Sequence, residues 1–193
     1  MTVKEFLGYL SQELNRSPRT VISYAEDLYA FEAYFLDKDE GLTWETIDTD
    51  IIRDWMESMV DKGNSPSSVA RRLSAVKGFF KFALAREFIS SDPAHAIRSP
   101  KRSRPLPQFL KENEINDLLD KQAWGDDFKG LRDRLIIMMF YETGVRLAEL
   151  VGMDDEAVNL TGQFIKVTGK GDKQRVIPFG NELKSMIENY VEE

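Results

Sequence analysis

Four of the chain's seven prolines crowd into one stretch, SSDPAHAIRSPKRSRPLPQ, at residues 90–108. Proline lacks an amide hydrogen and its ring collides with the preceding helical turn. Neither a helix nor a central strand crosses such a stretch. The fold must therefore be assembled on both sides of it. This predicts one unit over 1–90, a linker over 91–108 and a second unit over 109–193.

The amino-terminal side reads as four helices. Thr2 and Glu5 are spaced as a capping box, and Phe6, Leu7, Leu10 and Leu14 follow as an apolar stripe. Ser17 before Pro18 starts a second helix carrying Val21, Tyr24, Ala25, Leu28, Phe31 and Phe35 at helical spacing. A third helix begins near Asp48 or Asp50 and stops at Gly63, with Ile51, Ile52, Trp55, Met56, Met59 and Val60. The sequence NSPSS repeats the Ser-Pro start. From it a fourth helix is expected over 66–88, burying Val69, Leu73, Val76, Phe80 and Leu84.

The texture changes after the prolines. KENEINDLLDKQ reads as a short helix and FKGLRDRLIIMMFYETG as a longer, more apolar one, with Gly144 suited to a left-handed stop. Arg146 to Met153 reads as a further helix. Two strands, 164–168 and 174–179, flank the turn GKGDK, whose two glycines suit positive φ. A last helix is expected over 181–190. The fold class is mainly α, with one β-hairpin in an α+β second half.

The net charge of −7 argues against a polyanionic partner when taken alone. Patterning argues otherwise. Residues 66–104 hold nine basic side chains (Arg71, Arg72, Lys77, Lys81, Arg86, Arg98, Lys101, Arg102, Arg104) against Glu87 and Asp92. A basic middle in an acidic chain is either a solvated face with a basic linker or an electrostatic footprint for phosphate. There is no cysteine, which removes disulfides and thiolate chemistry. No apolar run reaches the length of a membrane span. MTVKEFLGYL lacks a signal-peptide pattern, so cytoplasm is the default compartment. His95 is the single histidine and reads as an exposed linker residue, not as part of a metal site or a triad. TGKGDK lacks the leading glycine and the trailing Ser/Thr of a phosphate-binding P-loop, and it also fails the dinucleotide fingerprint.

Arg146 is the most informative position. Leu147, Leu150 and Val151 place its backbone near a core, yet a guanidinium cannot shed its charge. Glu149, three residues on, shares its helical side. The pair reads either as a structural salt bridge or as a braced fork offered to phosphate, which is planar, bidentate work.

RDRLIIMMFYETGVRLAELVGM followed by IKVTGKGDKQRVIPFG resembles the start of the catalytic domain of the tyrosine recombinases, in their Xer-type and integrase branch. The matching residues are Thr143, Gly144, Arg146, Glu149 and Leu150, then Gly169, Lys170, Gly171, Lys173, Arg175 and Pro178. TVISYAEDLYAFEAYF and SPSSVARRLSAVKGFFKFA resemble helices of that family's SAM-like, four-helix core-binding domain. DPAHAIRSPKRSRPLP resembles its interdomain linker.

The resemblance implies site-specific DNA recombination through a 3′-phosphotyrosyl intermediate, without metal or nucleotide cofactor. Arg146 would clamp the scissile phosphate, braced by Glu149, and Lys170 would act as general acid. Duplex DNA carrying a recombination site is the implied partner, with further protomers in a synaptic tetramer. Thr20, Ser68, Arg71, Arg72 and Lys77 are the expected DNA contacts of the helical unit. Arg98, Lys101, Arg102 and Arg104 are those of the linker, and Lys173 and Arg175 those of the hairpin.

The family also uses a His/Lys-x-x-Arg motif and a nucleophilic tyrosine downstream of the hairpin, and neither appears in these residues. Tyr190 reads as a helix residue beside Ile187 and Val191. The expectation is an amino-terminal fragment that binds DNA without cleaving it, or a natural non-catalytic relative that occupies recombination sites. Ile136, Met139, Ile187 and Val191 are then expected to lack core partners, with self-association or disorder near the end.

Overall fold

The structure is a computed structural model. It describes residues 1–101, 106, 108–120, 124, 125, 127–169 and 171–193, with residue 112 described by its backbone alone. The chain divides into two compact units, Met1–Pro105 and Leu106–Glu193.

The first unit is helical. Its elements are α1 (Val3–Gly8), which continues through one wider π turn at Tyr9–Glu13, α2 (Pro18–Lys38), α3 (Thr49–Asp61) and α4 (Pro66–Ala85). Every start is capped by a side chain, which satisfies amides that have no helical partner. Glu5 donates its amide to Thr2 and returns its carboxylate to the Thr2 amide. Ser17, Asp48 and Ser65 accept from the first turns of α2, α3 and α4. α4 crosses the core and buries Val69, Leu73, Val76, Phe79, Phe80 and Phe82. Phe31, Phe35, Trp44, Trp55 and Phe79 pack around one another, the Trp44 and Phe79 rings at 4.3 Å between centroids. Burying each such ring is worth roughly 1.5–3 kcal/mol, so this cluster dominates the unit's stability.

Two expectations about this core are corrected. Leu84 is 41% exposed and Leu14 40%, because α4 ends at Ala85 and the π turn rotates Leu14 off the stripe. Trp44, on the connection between α2 and α3, is buried and donates its ring N–H to Glu32 at 2.6 Å.

Part of the proline stretch packs as structure. Ala94 and Ile97 are buried, the Pro93 carbonyl accepts from Thr49 at 2.8 Å, and the Ile97 carbonyl accepts from Lys77. His95 is exposed.

The second unit comprises α5 (Glu112–Leu119), α6 (Phe128–Thr143), α7 (Leu147–Val151), a 3-10 turn at Asp155–Ala157, β1 (Val158–Asn159), β2 (Phe164–Thr168), β3 (Gln174–Pro178) and α8 (Asn181–Glu192). The strands form one antiparallel sheet in the order β1-β2-β3, so the expected hairpin gains a short third strand. The core joins Ile115, Leu119, Met138, Met139, Val145, Ile165, Val167, Phe179, Leu183 and Ile187.

The expected orphans are only partly so. Met139 and Ile187 are buried where α6 packs on α8, Ile136 is half-buried and Val191 is 71% exposed. Among the described residues, no helix is long and apolar enough to cross a membrane.

Candidate functional site

The end of α6 builds the site. The Thr143 hydroxyl donates to the Met139 carbonyl and accepts the Val145 amide at 3.3 Å. Gly144 takes φ 59°, a left-handed conformation, and its amide returns to Phe140 at 3.0 Å. A side chain there would strain the turn. Val145 is then buried as an anchor and Arg146 emerges at the N-cap of α7.

Glu149 is buried and its carboxylate is saturated. Oε1 accepts Arg146 Nη1 at 2.9 Å and Arg175 Nη1 at 2.7 Å. Oε2 accepts the Arg146 amide at 2.8 Å and Arg175 Nη2 at 2.8 Å. A carboxylate offers about four lone-pair sites, so nothing further can be accepted. The Arg175 guanidinium, then the Arg146 amide, hold the Glu149 carboxyl at about 2, well below the ordinary 4.5, against the opposing effect of burial. Arg175 is pushed up in turn by Glu149.

Arg146 therefore spends Nη1 on Glu149 and keeps the edge formed by Nε and Nη2 without a partner among the described residues. Its side chain is 72% exposed. Of the flanking apolar residues expected to hold it, Leu150 is half-buried against the core, whereas Leu147 and Val151 are 67% and 78% exposed. In a five-residue helix, positions four apart share one face, and here that face points outward.

The hairpin is shaped to reach this carboxylate. Arg175 pairs across the sheet with Val167, which is buried, so the alternation of β3 turns Arg175 and Ile177 inward. A Cβ on Gly169 would stand 3.1 Å from Glu149 Oε1 and 3.5 Å from Arg175 Nη1, so the strand approaches closely only because that residue is glycine. In the turn, positive φ falls on Gly171 (75°) and Asp172 (60°), not on both glycines. Lys173 is exposed and its carbonyl accepts the Gly169 amide at 2.8 Å. Lys170 lies outside the described residues, as do Arg102 and Arg104. The Tyr190 ring stacks on Phe128 with centroids 5.3 Å apart.

The first unit has a second buried carboxylate, Asp27 on α2. Arg71 on α4 grips it with both terminal nitrogens, at 2.5 and 2.8 Å. The other sequence-expected contacts are distributed differently. Arg72 turns to Met59 Sδ at 3.6 Å, with Nε 3.9 Å from Asp27. Lys77 is engaged by the Ile97 carbonyl. The Thr20 and Ser68 hydroxyls each face their helix-capping serine, at 2.8 and 3.0 Å. Arg98 and Lys101 are exposed.

Arg16, Arg19 and Lys81 were not among the sequence-expected contacts. They line two hollows that share Thr20 and Tyr24 and, among the described residues, have no lining carboxylate. Only Lys81 lay inside the basic segment. Asp27 itself carried a signal, three residues after Tyr24 and four before Phe31 on the apolar stripe.

Comparison with known proteins covers both units. The model of the phage integrase N-terminal SAM-like domain matches residues 3–87, and that of the phage integrase family matches residues 108–193. The tyrosine recombinase XerC of Natranaerobius thermophilus is 38% identical over 97% of this chain and 62% of its own length. XerD of Oceanobacillus iheyensis is 29% identical over 99% of this chain and 64% of its own. The chain thus spans a little over three-fifths of the length of these relatives.

Among solved structures, the Tn1549 transposon integrase in complex with a circular-intermediate DNA superposes with a TM-score of 0.74. That match is 16% identical and covers 100% of this chain and 66% of the other. A lambda integrase dimer bound to a core site superposes at 0.68, with 21% identity over 100% of this chain and 69% of its own. The folds agree, the family models account for both units, and the chain belongs to the phage integrase family of tyrosine recombinases.

Proposed function

We propose that this chain is the DNA-binding and phosphate-clamping part of a site-specific DNA recombinase. The observation that carries this reading is the saturated Glu149 carboxylate. It holds Arg146 and Arg175 while leaving the Nε–Nη2 edge of Arg146 exposed and without a partner among the described residues. A guanidinium edge held in place is suited to an anion whose charge grows during reaction, because no reorganisation is needed at that moment.

In this reading Arg146 clamps the scissile phosphate of duplex DNA. Lys170, in the hairpin turn, gives a proton to the leaving 5′-oxygen. A tyrosine that is not among these 193 residues attacks the phosphate and is later displaced as the strands rejoin. Tyr190, a residue of α8 whose ring stacks on Phe128, is not assigned that role. Alone, the chain binds duplex DNA carrying a recombination site without cutting it. Further protomers of the complete enzyme assemble on that site as a synaptic tetramer in the cytoplasm.

The test is anisotropy of a labelled duplex titrated with the chain across a salt series. Binding is expected to weaken linearly in log affinity against log salt. Arg146→Ala is expected to reduce that slope by about one and to leave the fold intact. A flat titration at low salt would overturn the proposal.

A further inference from the structure

Burying a carboxylate to hold a surface arginine adds little stability compared with a well-packed apolar pair. What the pair does supply is geometry, and the Asp27–Arg71 pair has the geometry of a presented fork. Arg71 meets Asp27 end-on: Nη1 donates to Oδ2 and Nη2 to Oδ1, while Nη1 also donates to Ser23 Oγ at 2.8 Å. The end-on grip leaves the side edge, Nε–H with the outer N–H of Nη2, without a partner among the described residues. Asp27 is 5% exposed at its side chain and Arg71 52%, so the anchor is inside and part of the guanidinium is outside.

The surroundings favour an anionic or acceptor-rich ligand. Arg71 lines a shallow hollow of about 310 Å³ with Arg19 and the hydroxyl-bearing Ser17, Thr20, Ser23, Tyr24 and Ser74, with no lining carboxylate among the described residues. The adjoining hollow shares Thr20 and Tyr24 and adds Arg16, Lys81 and Arg86, the last paired with Glu13 at 2.5 Å, again with no lining carboxylate among the described residues. In a chain of net charge −7 this is a local excess of cations. Arg72 and Lys77, also on α4, are engaged by Met59 and Ile97.

We propose that Asp27 positions Arg71 as a fixed fork that takes two adjacent acceptors on duplex DNA. This rests on the DNA-binding reading above and deepens it. Adjacent acceptors are offered by the O6/N7 edge of a guanine and by the two free oxygens of a phosphate. A lysine cannot replace the fork, being a point charge without paired donors.

The experiment compares the wild-type chain with Arg71→Lys, Asp27→Asn, their double variant and Arg53→Lys, an exposed arginine on α3 paired with Asp50. Binding is measured to a random-sequence duplex pool and to duplexes that the wild type enriches from it, with circular-dichroism melting as the check of folding. Arg71→Lys and Asp27→Asn should each weaken binding to the enriched duplexes about tenfold. The double variant should be no weaker than either single one, and Arg53→Lys should stay near wild type. A loss confined to the enriched sequences identifies a base edge, and an equal loss on the random pool identifies a phosphate; both support the fork.

Wild-type binding by a folded Arg71→Lys chain would overturn the proposal while leaving DNA binding standing. So would additive losses in the double variant. If the wild type itself bound no duplex, the DNA-binding reading would fall first, and that result is distinct from the other two.

Discussion

Asp27 in the first unit and Glu149 in the second are both buried carboxylates that grip an arginine from a distant part of the chain, yet they are supplied differently. Glu149 draws its partners from three residues away and from a hairpin strand 26 residues on, and one of its four bonds comes from a backbone amide. Asp27 depends almost wholly on Arg71, 44 residues distant, with Arg72 at 3.9 Å as a weak second. The difference is one of redundancy. Losing any single donor leaves Glu149 with others, whereas losing Arg71 strands Asp27 between two helices.

The largest expected effect follows from that asymmetry. Arg71→Ala should destabilise the first unit by about 3 kcal/mol, because a buried carboxylate loses its bidentate partner. Urea denaturation of the whole chain, followed by circular dichroism, measures it. A loss no greater than that of Arg72→Ala would show that Asp27 is as redundantly supplied as Glu149.

A smaller effect is expected at the hairpin. Gly169→Ala places a methyl 3.1 Å from Glu149 Oε1, whose carboxylate is held by four bonds and has little freedom to retreat. Overpacking of this kind costs roughly 1–3 kcal/mol. The same denaturation experiment reads it, and an unchanged midpoint would mean that the carboxylate yields more readily than its bonding implies.

The gentlest perturbation is a change of pH, read on the second unit. Glu149 is depressed from 4.5 to about 2 in the folded chain. Its contribution is fully present above about 4.5 and is lost as pH falls from there towards 2, since the unfolded chain takes up the proton first. Thermal melting across that window should show a fall in stability that Glu149→Gln flattens. An identical acid dependence in the variant would move the titration to other carboxyls.

How much of this was legible in the chain depends on the distance between partners. Thr2, Ser17 and Ser65 announced their caps because a cap joins residues three apart. Arg146 and Glu149 announced each other for the same reason. Arg175 was read as a DNA contact because only the strand register, Val167 opposite Arg175, turns it inward to Glu149. Leu84 fitted the apolar spacing of α4 and is nonetheless 41% exposed, since spacing cannot say where the covering elements stop.

By itself, the sequence determined the helices, most of their starts, and the local Arg146–Glu149 pair. Each of these rests on backbone geometry and neighbours within about one helical turn. Only the tertiary structure decided that Arg71 closes on Asp27, that Arg175 completes Glu149, that Lys77 is taken by the Ile97 carbonyl, and that Arg16, Arg19 and Lys81 line neighbouring hollows. A long side chain bonds whichever group packing brings within reach, and that choice is made between elements far apart in the chain.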